Sequence, residues 1–159
     1  AADFQDHQPL VIDAERILVY RTPGHTDDSV CFHAGSFLIT GDTLFNGTVG
    51  NCFSGNMNIF FLSIKRLMDL SGETMIYAGH DYILNALAFA RHLEPRNKNI
   101  DLFRNACRSR NTTYSTLDEE RGINPYLRFN EESIIHLLRK NNLPHATEQE
   151  RWNSLMSLE

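Results

Sequence analysis

The feature that most constrains this chain is an asymmetry of pattern. Short β-branched and aromatic runs fill its first half, and helical periodicity fills its second. Residues 17–21, 30–33 and 37–40 read as strands, the last two joined by Ala34-Gly35-Ser36, a connection of hairpin length. Residues 43–55 form a Gly- and Asn-rich loop, long enough in a compact domain to suggest function. Ile59, Leu62, Leu67 and Leu70 place one apolar face on a helix over 58–70, and 75–78 is a short apolar strand. Beyond residue 82 the spacing predicts helices over 83–93, 100–110 and 131–141, the last capped by Asn130. A final helix follows a Thr147/Glu150 capping box. Strands followed by helices imply an α/β unit over residues 1–97 and an α-helical tail over 98–159.

Composition narrows the function classes. Twenty acidic against fifteen basic residues give a net charge of −5, which argues against a nucleic-acid partner despite Arg104, Arg108 and Arg110. No apolar stretch approaches the ~20 residues a membrane helix needs, and no secretory leader is visible. Three cysteines without CxxC spacing fit a reducing, cytoplasmic compartment. The sequons at Asn46 and Asn111 accordingly carry little weight. Asp118-Glu119-Glu120-Arg121 reads as a solvated face, Phe60 and Phe61 as packing residues, and Trp152 as an anchor of the last helix.

Three short motifs follow strands. Thr22-Pro23-Gly24-His25-Thr26 is a stiff turn that ends in an imidazole. Thr40-Gly41-Asp42-Thr43 and Gly79-His80-Asp81-Tyr82 repeat the placement with a carboxylate and a second imidazole. Parallel strands in one sheet would gather His25, Asp42 and His80 at one edge, a donor set suited to zinc, iron or manganese.

These motifs, in this order, resemble the second half of the metallo-β-lactamase superfamily, in particular glyoxalase II, the hydroxyacylglutathione hydrolases. Residues 85–95 resemble the helix that follows the last metal histidine in that family, and residues 119–128, with Asn124-Pro125-Tyr126-Leu127-Arg128, resemble a segment of its helical C-terminal domain. The resemblance implies the C-terminal half of an αββα sandwich followed by a helical domain. It also implies two divalent metals in the complete protein, zinc before iron or manganese, with His25 on one, His80 on the other and Asp42 bridging. The implied reaction is hydrolysis of a small thioester by metal-activated water. Tyr82, Asn51 and Phe53 fall where the family contacts its substrate; Asn51 stands in place of a lysine and Phe53 lacks a hydroxyl. The family's His-x-His-x-Asp-His motif is absent from these residues. The chain is therefore expected to need the missing N-terminal half, or a second copy, to cover its sheet, and to show little activity alone. A persulfide dioxygenase-like iron enzyme and a truncated, non-catalytic domain are the alternatives.

Overall fold

The computed structural model describes residues 4–110 and 114–158. Asn111 of the second sequon, Glu159 and the side chain of Arg110 lie outside the described residues. The elements run β1 (Pro9–Ile12), β2 (Glu15–Arg21), β3 (Val30–Ala34), β4 (Phe37–Gly41), β5 (Leu44–Phe45), β6 (Thr48–Val49), α1 (Met57–Met68) and β7 (Met75–Ala78). There follow α2 (Ile83–Leu93), α3 (Asn99–Arg110), β8 (Ser115–Thr116), α4 (Leu117–Ile123), α5 (Glu132–Lys140) and α6 (Glu148–Met156).

Six strands form one sheet in the order β1-β2-β3-β4-β7-β8. Pairing is antiparallel from β1 through β4, parallel between β4 and β7, and antiparallel again to β8. The parallel pair matters most for the site. A crossover through α1 brings β7 alongside β4 in the same direction, so the motifs that follow both strands emerge at one edge.

The strands alternate sharply between two faces. Leu38 and its register partner Ile76 have no exposed surface, whereas their neighbours Ile39 and Tyr77, also partners, are 55% and 37% exposed. Helices cover the first face. Phe60, Ile64 and Leu67 of α1 join Leu38 and Ile76 in a single core. That core continues through Leu117, Tyr126, Leu127, Phe129, Ile134 and Leu138 to Trp152 and Leu155 of α6. Trp152 is fully buried, its ring edge-on to Phe60 at 5.4 Å and close to Phe61 and Tyr126. The anchoring role expected of it, and the core role of Phe60 and Phe61, therefore hold. A satellite cluster of Leu87, Ala90, Ile100, Phe103 and Ile123 joins α2, α3 and α4.

Arg128 locks the turn after α4 onto the end of α2. Its guanidinium donates to both Glu94 oxygens at 2.7 and 3.0 Å, and Ser133 donates to the same carboxylate. Burial pushes the Glu94 carboxyl up, but the bonds from Arg128 and Ser133 and the Arg128 charge outweigh it and hold the group below its ordinary value.

Local rules explain some helix starts. The Thr147/Glu150 capping box forms as expected, and a second one, Thr116/Glu119, opens α4. Asn130 does not cap α5. Glu131 occupies that position without a side-chain bond, while the Asn130 amide is spent on Glu148 and Arg151 of the last helix. The acidic run 118–121 is not a uniformly solvated face. Leu117, Glu120 and Ile123 share the buried stripe of α4, and Glu120 has no exposed surface. Asn46 is 4% exposed and donates to Ser115 and the Ile76 carbonyl, so its sequon is sealed inside the protein.

Candidate metal centre

Buried threonines tie the strand ends together. The Thr40 hydroxyl lies 2.6 Å from the Leu44 carbonyl and 3.2 Å from that of Tyr77, while Thr22 meets both Thr43 and the Cys31 thiol. Burial pushes that thiol up to about 11, which keeps it protonated and inert. The Gly79 N–H donates to the Gly41 carbonyl at 2.9 Å, which sets His80 beside Asp42. Residue 79 has to be glycine here, because a Cβ would stand 2.5 Å from Asp42 Oδ1. The turn before His25 is clamped from the opposite side. Ser63 of α1 donates to the Pro23 carbonyl, and the Ser54 hydroxyl and N–H both reach the Gly24 carbonyl.

The result is a convergence on one carboxylate. His25 Nε2 lies 3.6 Å from Asp42 Oδ2, and His80 Nε2 lies 3.6 Å from Asp42 Oδ1. Two ligands on one tetrahedral ion with bonds of ~2.0–2.2 Å stand about 3.4 Å apart. Each imidazole–oxygen pair therefore has the spacing of donors that share an ion. No group of three or more His, Cys, Asp or Glu among the described residues is arranged to hold a metal. The geometry is thus two donor pairs hinged on Asp42, not a three-donor cage. The side chains are 20% exposed at His25, 32% at Asp42 and 57% at His80, so the edge is open to further ligands.

His25 is the better anchored imidazole. Its Nδ1 lies 2.9 Å from the Asn51 carbonyl; a carbonyl can only accept, so Nδ1 carries the hydrogen and Nε2 is left free to ligate. The Phe53 ring lies 5.0 Å from that of His25 and is 72% exposed. Beside the histidines, a cleft of about 390 Å³ is lined by Phe45, Thr48, Asn51, Tyr82, Asn85 and Phe89 among others. Tyr82 and Asn51 thus share one wall system. Phe53 does not line that cleft and instead packs on the His25 ring.

The sequence reading missed what supports this cleft from behind. Both oxygens of Glu120 lie 3.0 Å from the Gly47 nitrogen, and Asn124 donates to Glu120 Oε2 at 2.8 Å. Asn124 also donates to the Thr48 carbonyl, and Ser115 bonds the same carboxylate. Burial pushes the Glu120 carboxyl up to about 7, with these donors offsetting only part of the cost. A signal for this was present. Thr116-x-x-Glu119 has capping-box spacing, and a helix begun there puts Leu117, Glu120 and Ile123 on one face.

Residues 3–80 match the metallo-beta-lactamase superfamily model, and residues 81–157 match the hydroxyacylglutathione hydrolase C-terminus model. The chain belongs to the metallo-β-lactamase superfamily. Within it, the second match and the curated relatives place it with the glyoxalase II-like members. It is 36% identical over 141 residues to the hydroxyacylglutathione hydrolase of Chromohalobacter salexigens, covering 84% of this chain and 55% of that protein. It is 38% identical over 127 residues to that of Idiomarina loihiensis, covering 77% and 50%. The chain therefore spans about half the length of these curated relatives. Among solved structures, ETHE1 from Myxococcus xanthus superposes with a TM-score of 0.58 at 25% identity, covering 95% of this chain and 60% of ETHE1. No helix among the described residues is long and apolar enough to cross a membrane.

Proposed function

We propose that this chain is the C-terminal portion of a metal-dependent hydrolase of the glyoxalase II type, which cleaves a small thioester. The observation that carries this reading is Asp42, whose two oxygens each face one imidazole nitrogen at 3.6 Å beside a substrate-sized cleft. His25 Nε2 and Asp42 Oδ2 would hold one ion, and His80 Nε2 and Asp42 Oδ1 the other, zinc being the natural first choice for this donor set. Metal bound there would supply Lewis-acid chemistry, activation of water near neutral pH and polarisation of a thioester carbonyl. The remaining work falls to the chain. The Asn51 carbonyl fixes the tautomer of His25. Phe45 and Tyr82, whose rings meet edge-on at 5.1 Å, wall the cleft against water. Thr48, Asn51 and Asn85 add uncharged polar groups to that wall, which suits a thiol half recognised without ion pairs.

The exposed face of the sheet belongs to the same reading. Phe37, Ile39 and Tyr77 are 47%, 55% and 37% exposed on adjacent strands. A second sheet, from an N-terminal half or another copy of the chain, would bury them and could complete the coordination of both ions. Zinc titration of the intact chain, followed calorimetrically, tests the centre. Weak binding is expected, lost in Asp42→Asn and reduced in His25→Ala and His80→Ala. Binding unchanged by Asp42→Asn would overturn the assignment. In the protein with its N-terminal half restored, thioester hydrolysis with two ions is expected. One iron per protein together with oxygen consumption would favour the persulfide dioxygenase reading instead.

A further inference from the structure

We propose that Glu120 is a positioning residue for the His25 ligand, acting through residues 46–51. The inference rests on the reading of His25 as a ligand, but its structural argument is separate. Glu120 lies on α4, in the helical region, and has no exposed surface. Its carboxylate is aimed at the turn between β5 and β6, where both oxygens face the Gly47 N–H at 3.0 Å. Asn124, one turn further along, bonds that carboxylate and the Thr48 carbonyl. Asn46, on the other side of Gly47, donates to Ser115, which itself bonds Glu120. Three successive residues, 46 to 48, are thereby held by one buried network.

The loop leaves that network and reaches the site within three residues. Gly50 donates its N–H to the Thr43 carbonyl, and a Cβ on Gly50 would stand 1.9 Å from the Asp42 carbonyl oxygen and 3.1 Å from His25 Nδ1. The backbone at residue 50 is therefore wedged between the two candidate ligands. The next carbonyl, that of Asn51, is the one that holds His25 Nδ1. A shift of the loop by a few tenths of an ångström would lengthen that bond and free the imidazole to change tautomer. His80 emerges from a different strand, and its contacts with Asp42, Phe45 and Tyr82 do not include the Asn51 carbonyl. A buried carboxylate that served only packing would have no reason to affect one histidine and spare the other.

That selectivity is the test. Side-chain nitrogen resonances of His25 and His80 are recorded by NMR on the intact, metal-free chain. The unsubstituted protein is expected to show His25 as the single Nδ1–H tautomer. In Glu120→Gln, which keeps the volume but replaces one acceptor with a donor, His25 should become a mixture of tautomers while His80 stays in place. Ser115→Ala, which removes one bond from the network, should move His25 in the same direction and less far. His25 unmoved in folded Glu120→Gln would overturn the proposal. So would His25 and His80 shifting together in step with a lowered melting temperature. If Glu120→Gln fails to fold, the same readings on Ser115→Ala decide. The measurement needs no metal, so a failed zinc titration would sink the hydrolase reading and the ligand role of His25, and would leave the coupling of Glu120 to the His25 ring standing.

Discussion

The two faces of the central sheet are built from the same strands and meet opposite fates. On one face Leu38, Ile76 and Cys31 are wholly buried under α1 and the helical region. On the other, Phe37, Ile39 and Tyr77 stand exposed, although Phe4 sets its ring edge-on to Phe32 and Tyr114 stacks on Tyr77. A strand that is apolar on both sides is characteristic of a sheet covered on both faces. The closed face accounts for why these residues fold. The open face leaves Phe37, Ile39 and Tyr77 as an apolar surface at the same sheet whose edge carries Asp42.

The sharpest way to break this contrast is to damage the closed side. Trp152 is fully buried against three aromatic rings. Trp152→Ala should cost about 3–5 kcal/mol, the usual range for emptying a large aromatic site. Urea unfolding measures it. A loss below ~1 kcal/mol would mean that α6 is a detachable appendage and not part of the core.

How much of this was legible in the sequence depended on range. The convergence of His25, Asp42 and His80 was readable because each lies in a four- or five-residue motif that follows a strand; β4 and β7 pair in parallel, and two antiparallel pairings through β3 turn β2 to the same direction. Glu120 was legible only in part. The capping box fixes its helix face, but an acidic run gives the signature of a solvated one, and the donors that make a buried carboxylate tolerable include the Gly47 N–H, 73 residues away in sequence. The two-residue strands β5, β6 and β8 were likewise illegible, because pairs of residues carry no period. Asn130 had the chemistry of a cap but found better partners in Glu148 and Arg151, a tertiary competition that local spacing cannot reveal.

Glu120 also supplies a pH test of the closed side. Its carboxyl is raised from an ordinary 4.5 to about 7 in the folded chain, with desolvation the main cause and the like charge of Glu119 a smaller one. Between those values the folded state keeps a proton that the unfolded state has released. Stability from this group is therefore complete below about pH 4.5 and is lost as pH rises through 7. At ~1.4 kcal/mol per unit, the full swing is about 3 kcal/mol. Glu94 acts in the opposite sense: its lowered value adds stability above its ordinary pKa that is lost as pH falls into the acid range. Unfolding free energies measured from pH 5 to 8 should thus decline, and Glu120→Gln should flatten the decline. A slope that survives the substitution would place the responsible proton elsewhere.

The smallest expected change in folding stability comes from the open face, and it discriminates most finely between the two sides. Ile39 is 55% exposed at the centre of that face, flanked by Phe32 and Tyr77. Ile39→Lys removes little buried area, so unfolding of the isolated chain should shift by no more than ~0.5 kcal/mol, as for an ordinary surface site. Its effect should appear in association. An uncovered apolar face favours self-association, and a lysine at its centre would have to be desolvated in any sheet-to-sheet contact. Sedimentation velocity should show the unsubstituted chain as a mixture that shifts to larger species with concentration, and Ile39→Lys as a monomer. If the unsubstituted chain sediments as a monomer at every concentration, the face does not drive self-association and the covering layer must be a different segment. If Ile39→Lys instead destabilises as strongly as Trp152→Ala, the face is already buried and the contrast between the two sides of the sheet disappears.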